Sequence, residues 1–364
     1  MQRSRTIVLL VNGSESSPMG YRARAFEKAL REDARVLVEY RNQSRLKSIF
    51  TFRNLLSRER PDIVYVLDMG YSGVIAALAH KLVSRTKVIV DTGDAIYELA
   101  KAVGERGRIG LGLTWLLERI GIVCADHIVV RGTEHKALMG RDAVTVIQDG
   151  FESESFCTLD VTELRRELQL EEVLTVGFVG SLTWSSKSGR CYGSELIEVL
   201  CELRDLPVKG IIIGDGSGAP KLRAQARQLG IEDKIVFLGR IPYEDLSRYL
   251  CLIDVCLSTQ TNDVPGRVRT TGKLPLYLAT GRFILASRVG EAARVLPQEM
   301  LVDYHGSSDP QYPKKLATRI RTLLRGDSIR KGSLQSRAIA AENFDYAVLT
   351  SRLKGVIRSI EGYA

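Results

Sequence analysis

Four short aliphatic runs at residues 210–213, 235–238, 254–257 and 283–286 are separated by segments with helical spacing. Strands that alternate with helices in this way read as a parallel sheet with crossover helices. The turns that follow the runs carry glycines and basic residues. Bare backbone amides and helix N-termini receive phosphate at such places, so the stretch from Val208 to Ser287 reads as a nucleotide-binding type of half-molecule.

The first half repeats the alternation, with strands expected at 6–11, 35–40, 63–67, 87–91, 127–131 and 144–147. Helices are expected at 20–32, 48–58, 71–82, 95–103 and 109–124. Asp149-Gly150-Phe151 breaks the series and a polar linker follows. A chain of 364 residues exceeds what one core ordinarily serves. The expected fold class is therefore α/β, with two doubly wound Rossmann-like domains facing a cleft. The first covers 1–155 and is rejoined by a last helix over about 346–364; the second covers 156–345.

Hydrophobic residues make up 45% of the chain and charged residues 26%, the balance of a globular protein with real cores. No run is long and apolar enough to span a bilayer, and no secretory leader is read at the N-terminus, so a cytoplasmic setting is expected. Six scattered cysteines without a CxxC pair and four histidines argue against a disulfide framework or a metal site. Lys and Arg exceed Asp and Glu by 52 to 43, and residues 1–150 hold 23 against 17. Arg41, Arg45, Lys47, Arg53, Arg58 and Arg60, with Lys81, Arg85 and Lys87, suit an anionic membrane surface or a solvated face. No aromatic or helix-turn-helix pattern interleaves these charges, so no nucleic acid is expected.

Candidate site residues cluster after strands. Gly20, with Arg22 and Arg24, follows the first strand and suits an anion or an acceptor, although a plain turn reads the same way. Asp94, in the run Asp91-Thr92-Gly93-Asp94, stands where a carboxylate takes a proton from an attacking hydroxyl, or where an N-cap would stand. Gly180, Ser181 and Lys187 suit a diphosphate, as a flexible surface loop also would. Asp215, Gly239, Arg240 and Ile241 lie at strand ends where backbone meets a base. The segment 262–273 is expected as a basic loop in which Arg267, Arg269, Thr270, Thr271, Gly272 and Lys273 form an anion cradle before a helix. No HExxH, P-loop or Ser-His-Asp pattern is present, which removes hydrolase, metalloprotease and P-loop readings.

Taken in order, these segments resemble the GT-B glycosyltransferases, and among them the retaining GT4 enzymes. PMGYRARAFEKAL is similar to the family's glycine loop and arginine-bearing helix, and VIVDTGDAIYEL takes the place of a strand ending in His-Asp, with Gly93-Asp94 here. VGFVGSL, IIIGDGSG, IVFLGRIPYEDL and GKLPLYLATGRFILAS match in order and spacing. The resemblance implies transfer of a sugar from a nucleotide-sugar to a hydroxyl acceptor, glycan or lipid-linked, with retention and no cofactor. Separately, the uncharged run Ile109–Trp115 near the basic first half suggests a membrane-proximal acceptor and a peripheral place on the inner face of a membrane, although a core helix explains that run equally well. Two glutamates usual in the family are missing. Counting back from Gly281, Leu276 and Val268 stand at their positions, while Ser181 replaces an arginine and Lys187 matches a lysine. A catalytically degenerate binding protein and, behind it, a sugar-nucleotide epimerase are the alternatives.

Overall fold

A computed structural model of the chain describes residues 5–42, 44–186 and 189–361. They divide into two compact units. Unit 1 comprises Met1–Gly150, Arg267–Thr270 and Tyr346–Ala364, and unit 2 comprises Phe151–Gly266 and Thr271–Asp345.

In unit 1 the order is β1 (Thr6–Val11), α1 (Pro18–Leu30), β2 (Arg35–Tyr40), α2 (Arg45–Glu59), β3 (Ile63–Leu67) and α3 (Tyr71–Lys81). There follow β4 (Lys87–Thr92), α4 (Ile96–Val103), α5 (Arg108–Cys124), β5 (His127–Val130), α6 (Thr133–Met139) and β6 (Val144–Val146). All pairings are parallel, in the order β2-β1-β3-β4-β5-β6. Continuous aliphatic strands such as TIVLLV and IVYVL suit a sheet covered on both faces. Alternate side chains of β1 divide between two cores. Ile7, Leu9 and Val11 meet Phe26 of α1, whereas Val8 and Leu10 meet Phe52 and Leu56 of α2 and Val74 of α3. The start of α1 is fixed locally, because the Ser17 side chain accepts from the Gly20 amide and Pro18 occupies the first turn.

In unit 2, α7 (Thr162–Glu167) leads into β7 (Leu174–Val179), α8 (Ser194–Glu202), β8 (Val208–Ile213), α9 (Ala219–Gln228), β9 (Ile235–Gly239), α10 (Tyr243–Leu250) and β10 (Val255–Ser258). Next come α11 (Val264–Val268), α12 (Lys273–Ala279), β11 (Phe283–Ser287), α13 (Gly290–Val295), β12 (Leu301–Val302), α14 (Tyr312–Leu323) and α15 (Ser328–Asn343), before α16 (Tyr346–Glu361) packs on the first core of unit 1. The second sheet is also parallel, ordered β12-β11-β10-β7-β8-β9. Strand order reverses beside β1 in one sheet and beside β7 in the other. Ligands of open α/β sheets bind beyond the carboxyl ends of strands at such points.

Among the departures from expectation, which include the short helices α6 and α13, two bear on the site and the core. The segment 262–273 is not wholly a loop, because α11 forms within it. Its start is held by the Asp263 carboxylate, which accepts from the Gly266 amide at 2.9 Å and from the Thr261 hydroxyl at 2.8 Å. The helix α15 was not expected, since its buried stripe is made of Gly332, Ser336 and Ala340 rather than large apolar residues. Small residues four apart let the helix lie close on Phe283 of β11, but they leave little apolar periodicity. Among the described residues no helix is long and apolar enough to cross a membrane.

Candidate functional site

Charge in unit 1 gathers at the carboxyl edge of its sheet. Asp91, the penultimate residue of β4, is fully buried and shares one oxygen between Arg22 Nε at 2.9 Å and the Tyr65 hydroxyl at 3.0 Å. Arg22 also donates through both terminal nitrogens to the carbonyls of Gln148 and Ile147, at 2.5 and 2.8 Å. Arg131 lies 3.5 Å from Asp91, 3.4 Å from Asp149 and 3.3 Å from Asp68. Burial alone would lower the pKa of Arg131, but Asp149, Asp91, Asp68 and Asp94 outweigh it and hold the guanidinium above its usual value. Burial raises that of Asp68 against the pull of Arg131.

Arg22, expected beside an anion or an acceptor or as a surface arginine, is a fully buried ion-pair partner with every nitrogen engaged. Arg24 bonds the Glu15 carbonyl at 3.1 Å and stacks on Tyr21, so it braces the loop before α1. Gly20 is required by packing, because a Cβ there would sit 1.9 Å from the Glu15 carbonyl oxygen. Its own amide is already capped by Ser17. Gly93 is glycine for a similar reason: a Cβ would lie 2.5 Å from Arg131 Nη1.

Asp94 stands just past β4 and accepts from Arg269 Nε at 2.7 Å, with about a third of each side chain exposed. The Thr270 hydroxyl donates to the Arg131 carbonyl at 2.6 Å, and the two contacts hold Arg267–Thr270 in unit 1. Arg269 therefore meets a carboxylate of unit 1, and Thr270 serves as a strut. Arg267 is exposed and has no ion-pair partner among the described residues. His135, the third residue of α6, is 1% exposed, and neither ring nitrogen has a partner among the described residues. Burial pushes its pKa down to about 4, against the opposing pull of Asp94. Residue type alone gave no hint of His135, Arg131 or Asp68.

In unit 2 the glycine turns form a continuous edge. Gly180 donates to Ile213 O at 3.0 Å, and Gly214 donates to Gly239 O at 2.7 Å, so the ends of β7, β8 and β9 are tied together. A Cβ on Gly214, whose φ is +137°, would lie 1.9 Å from the Gly180 carbonyl oxygen. No other residue fits there. Asp215 shapes the next turn, taking the Gly216 amide on its carboxylate at 2.7 Å and the Leu182 amide on its carbonyl at 3.0 Å. Arg240 is exposed, and Ile241 is partly packed on the core.

Lys273 opens α12 beside this edge. Its ammonium lies 4.5 Å from the ring centroids of both Phe178 and Tyr192, which stack on each other, and 3.8 Å from where a Gly180 Cβ would be. Two aromatic faces hold the cation in place. Next to it, Glu195 has a carboxyl whose pKa is raised by burial, with Arg190 and Lys273 opposing. The Thr271 hydroxyl is buried without a partner among the described residues, and nothing lies within 4 Å of a Cβ on Gly272. The Ser181 hydroxyl bonds that of Thr183 at 2.8 Å. Lys187 lies outside the described residues. Val268 and Leu276 are both buried apolar side chains. Among the described residues no group of three or more His, Cys, Asp or Glu side chains is placed to hold a metal ion.

Residues 173–326 match a family model described as glycosyl transferases group 1. The GPI3 subunit of phosphatidylinositol N-acetylglucosaminyltransferase from Saccharomyces cerevisiae is 24% identical over 179 residues, which is 49% of this chain and 37% of that protein. The chain thus spans well under half the length of that relative. Among solved structures, Anabaena HepE in complex with UDP and glucose superimposes with a TM-score of 0.70 at 18% identity, covering 97% of this chain and 99% of that one. Sucrose-phosphate synthase from Thermosynechococcus elongatus gives 0.78 at 15% identity, covering 99% and 100%. At these identities the likeness is one of fold.

Proposed function

We propose that the chain, which matches a glycosyl transferases group 1 model over residues 173–326 and shares the GT-B fold, moves a sugar from a nucleotide-sugar to a hydroxyl acceptor. The observation that carries this reading is the Lys273 ammonium, fixed between Phe178 and Tyr192 beside the glycine edge of β7–β9. A localised cation next to the open Gly272 and the unpartnered Thr271 hydroxyl suits the diphosphate of the donor. Asp215 and Gly239–Ile241, farther along the same edge, are assigned to the base. Uracil is the first base to test, since HepE is described with UDP bound.

In the transfer, the bond from the sugar's anomeric carbon to the diphosphate oxygen breaks and its electron pair leaves with the diphosphate. A bond to the acceptor oxygen forms, and the acceptor proton passes to Asp94. The family resemblance adds retention of anomeric configuration. Lys273 supplies the charge that a metal would otherwise supply, so EDTA is expected to leave the rate unchanged.

The acceptor is assigned to unit 1. Arg267, exposed and without an ion-pair partner among the described residues, suits one that carries phosphate, as the phosphatidylinositol in the yeast relative's name does. The outward face of α5 presents Ile109, Leu113, Trp115 and Leu116 to solvent, with Arg108 and Arg119 on the same helix. An apolar stripe with basic neighbours suits the interface of an anionic membrane, and the proposed location is peripheral, on its cytoplasmic side.

Incubating the chain with a panel of nucleotide-sugars tests the reading through slow donor hydrolysis and product release. Nucleotide release from at least one donor, lost in Lys273→Met, is the expected outcome. Binding of partners or vesicles with no response to any nucleotide would favour the degenerate alternative. The buried Val268 and Leu276 at the positions of the family's acids are the observation on its side.

A further inference from the structure

The amino-terminal edge of the first sheet, away from the carboxyl edge that holds Asp94, contains a cavity of about 740 Å³. It lies between the end of α2, the start of β3, the turn after α3 and the start of β4. Arg60, Arg85 and Lys87 line it, and none of the three has an ion-pair partner among the described residues. Its one carboxylate, Asp62, is occupied by the Thr6 amide at 2.8 Å. Three cations against one carboxylate leave the lining with a net positive charge.

A second observation points to a ligand. His80 lines the same cavity, is 8% exposed, and has an Nε2 without a partner among the described residues. An unsatisfied buried ring nitrogen beside three cations is a polar vacancy of the kind an anion's oxygen fills. A third observation gives the source of that anion. Leu82 and Val83, in the turn that forms one wall, are 88% and 84% exposed. Adjacent aliphatic side chains so exposed beside a cationic cavity are suited to lipid rather than to a water-soluble ligand.

We propose that this cavity binds the phosphate of an anionic phospholipid headgroup, with Arg60, Arg85, Lys87 and His80 around the phosphate and Leu82 and Val83 entering the acyl boundary. The assignment rests on the membrane-facing reading of unit 1 and is independent of sugar transfer.

Sedimentation of the full chain with phosphatidylglycerol–phosphatidylcholine vesicles, beside phosphatidylcholine vesicles alone, tests it. The parent is expected to bind only the anionic vesicles. Each cation removed is expected to weaken binding about fivefold. Arg85→Gln/Lys87→Gln should therefore lose roughly thirtyfold, and Leu82→Ser/Val83→Ser should bind more weakly than the parent. Arg325→Gln/Arg330→Gln, the same charge change on exposed residues of unit 2, should bind as the parent does. Melting temperature and nucleotide binding, read in every variant, report folding independently. Parent binding that the cavity variants leave unchanged overturns this site while sparing the membrane reading; a parent that ignores anionic vesicles overturns both. Competition by inorganic phosphate with no effect of Leu82→Ser/Val83→Ser overturns the lipid source in favour of a free anion.

Discussion

Single side chains in unit 1 are committed most firmly at Arg22. Its guanidinium and the Asp91 carboxylate are both fully buried and form an ion pair through Asp91 Oδ2. Removing one partner of such a pair strands a charge, at a cost of about 3–5 kcal/mol. Arg22→Ala is expected to lower the unfolding free energy of unit 1, read by urea titration, by an amount in that range, and a loss under ~1 kcal/mol would mean that Asp91 finds another partner. By contrast, Arg269 and Asp94 are partly exposed, and their pair contributes little to stability, so Asp94→Asn should reduce transfer without a matching fall in melting temperature. His135 gives unit 1 a pH dependence. Its folded pKa of about 4 lies below the ordinary value of 6.5, so the unfolded chain binds more protons between these values. Stability should fall as pH drops through that window, with a slope of at most about 1.4 kcal/mol per unit from this residue. Denaturant titrations from neutral pH downward should show a shallower slope in His135→Gln, and equal slopes would remove His135 as the cause.

Elements were legible in the sequence where large aliphatic residues carry the pattern. The strands of both sheets, the helices α2, α3, α5 and α16, and the glycine turns after β7 and β8 all follow from such residues. Small-residue packing hid α15, whose contact with β11 works only because Gly332 has no side chain. A Cβ there would meet Phe283 at 2.5 Å. Two helical glycines should consequently respond in opposite directions. Gly332→Ala gains helix propensity but overpacks the contact, and a net loss of about 1–3 kcal/mol is expected. Gly355→Ala, in α16 with nothing within 4 Å, should be stabilising by about 0.5–1 kcal/mol. Thermal melts of the two variants check both signs, and the same sign in both would refute the packing account of α15. The candidate site was partly legible: turn glycines and the basic segment stand out as residue types, while Arg22 inside a buried network and Lys273 between two rings depend on residues distant in sequence. The difference between a surface arginine and a buried one at position 22 lies in Asp91, Ile147 and Gln148, which no local pattern links to it.

At the scale of the whole molecule, two parallel sheets of the same size carry different amounts of recognisable sequence. The family match falls in unit 2 apart from Arg267–Thr270, while unit 1 supplies the buried charge network, the exposed face of α5 and the cationic cavity. That division suits a donor site common to a large group and an acceptor side particular to this chain. The central claim is that Lys273 fixes the donor diphosphate, and calorimetric titration of the preferred nucleotide-sugar into the parent and into Lys273→Met tests it most directly. The account predicts at least about a tenfold loss of affinity in the variant, near 1.4 kcal/mol, with an unchanged melting temperature; equal affinity in the two proteins would contradict it.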